Sequence, residues 1–161
     1  MPPRIVAVRE FSIIGLEART SNAQEMTQSG VIAKLWSRFF AEAILARIPN
    51  KVDPTIYAVY TDYANHRNGD YSFVLGAKVS RTSLLPAGMV AKKVPAGRYA
   101  VVRSAKGPVE NIVPQAWRHI WSLEDKSQLG GARAYRADFE VYDQRGQEPQ
   151  NSEVDLYVGI K

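Results

Sequence analysis

The chain has 161 residues, 45% of them hydrophobic, with no cysteine and a formal net charge of +5. That length buries one sizeable core, and the composition excludes a fibre, a disordered chain, a disulfide scaffold and any thiolate nucleophile or metal site. No run approaches the ~18 apolar residues of a membrane span. Nor does the start "MPPRIVAVREF" hold a signal-peptide segment, so a cytoplasmic protein is expected, with no membrane contact.

In chain order, "IVAVREFSIIGLEART" reads as one or two strands. "SGVIAKLWSRFFAEAILARIP" follows, with Ile32, Leu35, Trp36, Phe39, Phe40 and Ala43 at helical spacing. It predicts one amphipathic helix from an N-cap at Ser29 to Pro49. "TIYAVYTDY" and "YSFVLGAKVS" then predict a hairpin around "ANHRNGD". The second half repeats this order. "VAKKVPAGRYAVVRSAKG" is strand, turn, strand, and "NIVPQAWRHIWSLE" is a helix in which Pro114 fits only in the first turn. "RAYRADFEVYDQ" and "SEVDLYVGIK" form a second hairpin.

Trp36 aligns with Trp117, "YAVY" at 57–60 with "FEVY" at 139–142, and Gly76 with Gly159, in one order and at nearly one offset. The fold class expected is therefore α+β: a duplicated β-β-α-β-β unit, roughly 1–85 and 86–161, forming a single domain over 1–161. Its halves would pair into a pseudo-two-fold antiparallel sheet, with two main helices flanking a cleft. In that register Glu140 takes the place of Ala58, a charge where the other half has a methyl group. Strand alternation puts Glu140 beside Asp138 and Tyr142, but the apolar Phe139 and Val141 claim the opposite face, so the pattern leaves open which face is wet.

The runs "FSIIGLEART", "LWSRFF", "IYAVYTDY", "PAGMVAKKVPAGRYAVV", "QAWRHIW", "DFEVYD" and "VDLYVGIK" resemble, in order and over nearly the whole chain, the GyrI-like small-molecule-binding family. These are effector-binding domains of AraC-type and MerR-type regulators that also occur as stand-alone proteins. The resemblance implies a hydrophobic cleft in which a strand carboxylate, here Glu140, meets cationic lipophilic ligands, with Trp36, Tyr60, Trp117 and Tyr142 as aromatic walls. The first expected strand begins within a few residues of the start, which leaves no room for a helix-turn-helix and points to the stand-alone form.

Three function classes follow. The leading one is a sensor or sequestering protein for cationic or amphiphilic small molecules, with no catalytic residue. A second is a hydrolase of strained electrophilic toxins, as in some GyrI-like relatives, with Glu140 activating water and Trp117 placing the electrophile. The third is a protein-partner inhibitor, which wants an acidic surface that the net charge of +5 does not supply. Direct DNA binding is not expected, because the 21 Lys and Arg are scattered among 16 Asp and Glu, densest at "AKK" 91–93. With His66 read as a solvated loop residue, His119 beside a helix face, and no cysteine, neither a metal site nor a cofactor is expected. Trp121, whose counterpart is Phe40, sits at the edge of its stripe.

Overall fold

The protein is described over residues 2–161 by a computed structural model. Its strands are β1 (Arg4–Val8), β2 (Phe11–Ser21), β3 (Ile56–Thr61), β4 (Asp70–Val79), β5 (Val90–Val94), β6 (Gly97–Arg103), β7 (Arg133–Tyr142) and β8 (Asp155–Ile160). They form one antiparallel sheet in the order β1-β6-β8-β7-β3-β4-β2-β5. Advancing every strand by four reverses that order, so the sheet has the expected pseudo-two-fold symmetry. The central register fixes the axis: Tyr57 faces Val141, Val59 faces Phe139, and Ala58 faces Glu140. Because 57 corresponds to 139 and 59 to 141, the axis runs through the Ala58–Glu140 pair. Each half also lends its first strand to the other, β1 to β6 and β5 to β2.

The helices are α1 (Asn22–Glu25), α2 (Ile32–Ala41), α3 (Ile44–Arg47) and α4 (Val109–Asp125). Both long ones lie on one sheet face. Leu35 and Phe39 of α2 join Ile112, Ala116 and Ile120 of α4 in a core with Leu16, Phe73, Leu75, Leu156 and Val158. The other face is not wet either. Val6 of β1, Val90 and Val94 of β5, and Val59 and Phe139 of the centre share a second cluster, with the Phe11 and Phe139 rings 5.3 Å apart. The sheet curls until its edges cover its middle. Close strand approach contributes: a Cβ on Gly76 would lie 1.9 Å from the Ile14 carbonyl oxygen, so only glycine fits there.

Three helical expectations change. The run from Ser29 to Pro49 is two helices, broken at Ala43 in the left-handed region with φ 49°. The Leu35–Phe39 stripe would next aim Glu42 and Ala43 at the core; the turn instead delivers Ile44 and Ile48, both buried. Ser29 is not the N-cap, because the start of α2 is held by Glu25, whose carboxylate accepts from the amides of Val31 (2.9 Å) and Ile32 (3.0 Å). Pro114 is in the second turn of α4, since the helix already begins at Val109 with Pro108 at the N-cap.

Candidate functional site

Between α2 and α4, above β3 and β7, lies a cavity of about 540 Å³, within the range of small-molecule sites. It is lined by all five residues singled out in the sequence: Trp36, Tyr60, Trp117, Glu140 and Tyr142. Alternation on β7 sends Phe139 and Val141 into the curled face and Glu140 and Tyr142 under the helices. The symmetry axis thus places Glu140 at the middle of the cavity floor.

The walls repeat around it. Trp117 of the second half packs edge-on against Tyr60 of the first at 5.1 Å, and Trp36 of the first against Tyr142 of the second at 4.8 Å. Ala58, on the axis opposite Glu140, leaves room for the one carboxylate. Glu140 is 1% exposed. Its Oε2 accepts from the Tyr60 hydroxyl (2.6 Å) and the Trp117 indole N–H (2.7 Å), and its Oε1 accepts from the Tyr142 hydroxyl (2.6 Å). Burial raises its pKa above the ordinary value of 4.5; the three hydrogen bonds, that of Trp117 foremost, pull it back without cancelling the rise. Every partner is neutral. Burial, reinforced by the neighbouring carboxylate, keeps the Tyr60 and Tyr142 hydroxyls protonated far above the usual phenol range. The site is a carboxylate fixed by dipoles and lacking a counter-charge.

Trp121 also lines the cavity, beneath Arg67, whose guanidinium carbon is 6.0 Å from its ring centroid. Its counterpart Phe40 is instead exposed and stacks on Trp36 at 5.9 Å. His66 is the exposed loop residue expected, and its ring stacks on Tyr135 at 4.8 Å. His119 borders a separate, smaller hollow with Arg103 and Asp155.

The sequence reading missed the polar end of the cavity. Arg133 is buried, pairs with Asp138 (2.6 Å), and lies 5.8 Å from the Trp117 ring and 4.2 Å from that of Tyr135. A register shift between Arg133 and Asp138, with Tyr135 at φ 52°, turns it inward. No local pattern announces such a bulge. Arg67, at the tip of the β3–β4 hairpin, pairs with Glu124 (3.3 Å) and Asp125 (3.1 Å) and closes this end. Glu25 is a second carboxylate on the wall, spent on the start of α2. Among the described residues, no His, Cys, Asp or Glu cluster has metal-holding geometry and no helix is long and apolar enough to cross a membrane.

A pseudo-symmetric sheet that carries an aromatic cavity on its axis is the architecture of a GyrI-like effector-binding domain. The chain belongs to the family of integron-associated effector-binding proteins, whose model matches residues 4–160. It is 38% identical over 148 residues to YobU of Bacillus subtilis, named provisionally as a transcriptional regulator, covering 91% of this chain and 90% of YobU. It is 35% identical over 169 residues to the transcriptional regulator BrlR of Pseudomonas aeruginosa, covering 99% of this chain but 56% of BrlR. Among solved structures, an integron cassette protein from the mobile metagenome of Vibrio cholerae superposes with a TM-score of 0.79 at 25% identity, covering 99% of this chain and 96% of that one. SAV2435, solved with tetraphenylphosphonium bound, gives 0.79 at 16% identity, over 100% and 94% of the two chains.

Proposed function

We propose that this protein binds hydrophobic organic cations in the cavity above Glu140 and serves as the effector-sensing part of a regulatory response. The observation that carries the reading is the Glu140 carboxylate, buried on the floor of an aromatic cavity and hydrogen-bonded to three neutral donors with no cation among its partners. Moving a carboxylate out of water costs several kcal/mol, and a ligand cation supplies the missing counter-charge. Tyr60, Trp117 and Tyr142 hold the carboxylate in place, so it need not reorganise when the ligand arrives. The aromatic faces add cation–π attraction of roughly 0.5–2 kcal/mol and a large apolar contact with little directional demand. Selectivity should therefore follow charge and greasiness more than shape.

The tetraphenylphosphonium bound to SAV2435 is a ligand of this chemical class on this fold, and the regulator names of YobU and BrlR supply the context. The hydrolase reading has less support. A base must reach a water, and three of the carboxylate's roughly four acceptor positions are already filled by protein donors.

Glu140→Gln keeps the shape and removes the charge. It should weaken tetraphenylphosphonium by about 1.5–3 kcal/mol, the range of a charge-assisted contact, while a neutral triaryl analogue binds nearly as before. Titration calorimetry with both ligands checks this. Equal losses for the two would make Glu140 a structural residue and refute the proposal.

A further inference from the structure

Pro114 should have been confined to the first turn of its helix, where missing amide hydrogens cost nothing. It stands instead in the second turn of α4, and both Pro114 and Glu110 line the cavity. Proline has no N–H, so the Glu110 carbonyl lacks its i+4 donor. The pyrrolidine ring also crowds the carbonyl four residues back and tips it off the helix axis. Residues 110 and 114 share a helix face, and here that face is the cavity wall. No loop or side-chain hydrogen bond among the described residues ends on this carbonyl. A regular helix would present only saturated backbone to a ligand. This one presents a carbonyl without its i+4 amide donor.

We infer that the Glu110 carbonyl, released by Pro114, is a second polar contact for the ligand and selects cations that carry an N–H over those that carry none. The inference rests on the cation reading above. Glu140 attracts any cation, because charge attraction needs no hydrogen. A carbonyl oxygen discriminates: it accepts from a protonated amine, whereas a quaternary ammonium or phosphonium presents only carbon to it. The Glu110 side chain in the same turn adds negative potential and offsets the positive end of the helix. The protein's preferred ligands are then protonated lipophilic amines, with permanent cations as weaker members of the same class.

The test uses one arylalkyl amine in its N,N-dimethyl form, protonated at pH 7, and its N,N,N-trimethyl form, titrated into wild type, Pro114→Ala and Glu140→Gln. Pro114→Ala restores an amide hydrogen for the Glu110 carbonyl and closes the helix. The ratio of dimethyl to trimethyl affinity should fall about tenfold to a hundredfold in Pro114→Ala, the factor of a charge-assisted hydrogen bond, while Glu140→Gln weakens both ligands together. Loss of the proline ring touches both ligands alike, so the ratio isolates the carbonyl. Pro114→lactate, the ester counterpart without an N–H, should keep the wild-type ratio. An unchanged ratio in Pro114→Ala, with both ligands still dependent on Glu140, overturns the carbonyl's role alone. Failure of both cations to depend on Glu140 overturns the cation reading, and this inference with it.

Discussion

At the residue scale, one difference between the halves puts a charge on the axis of the site. Ala58 and Glu140 occupy the same place in the two halves and face each other on the axis. The sequence made that alignment legible from the shared aromatic, valine and tyrosine around the position. It left the face of Glu140 open, because alternation separates two faces without saying which is wet, and here both are buried. The hydrogen bonds to Glu140 were equally hidden: Trp117, Tyr60 and Tyr142 are ordinary core aromatics until the fold brings their polar atoms to one carboxylate. Trp117→Phe keeps a ring and deletes the N–H that most lowers the Glu140 pKa. The pKa of the empty site should rise further. For a permanent cation, affinity increases with pH as Glu140 loses its proton, up to the pKa of the free protein, so the midpoint of that increase should move to higher pH in Trp117→Phe. Titrations from the ordinary carboxylate value of 4.5 upward would read it, and a midpoint that stays put or falls would show that the indole N–H does not tune the carboxylate.

At the element scale, helical periodicity located both long helices and misjudged their ends. It could not see that Glu25, six and seven residues upstream, caps α2 in place of Ser29, because a cap reached through a turn has no fixed spacing. Nor could it see the break at Ala43, where the run stays apolar while the chain changes direction. Ala43 has a left-handed backbone that costs a Cβ-bearing residue roughly 1–2 kcal/mol. Ala43→Gly should therefore stabilise the protein by about 0.5–1 kcal/mol, although the same change inside a continuous helix would destabilise it by about 1 kcal/mol. Urea unfolding gives the sign directly. A loss of stability would restore the single helix that the sequence suggests.

At the scale of the whole molecule, the repeat and its order could be read from the chain, since the aromatic and glycine anchors recur at nearly one offset. The exchange of first strands could not. Hairpin partners are adjacent in sequence, but β1–β6 and β5–β2 join residues on either side of the repeat boundary, and only the assembled sheet specifies them. That exchange makes the halves interdependent. Separated between Pro86 and Gly88, each would lose the β1–β6 and β5–β2 pairings, the β3–β7 seam and the facing helix. Neither half alone should show cooperative unfolding or a native near-UV spectrum, and mixing the two should restore both. Native-like folding of an isolated half would contradict the interdependence.

The central claim is that a desolvated carboxylate on the symmetry axis waits for a cation. Calorimetric titration of tetraphenylphosphonium in two buffers of different ionisation enthalpy tests it most directly, because this ligand cannot titrate and any proton exchanged belongs to the protein. Glu140 in the empty site has its pKa raised by burial, and the bound cation lowers it, so binding must release a fraction of a proton at pH values between the two. The expected result is proton release in the wild type that vanishes in Glu140→Gln together with most of the affinity. Tight binding with no proton release at any pH from the ordinary carboxylate value of 4.5 upward, unchanged in Glu140→Gln, would contradict it.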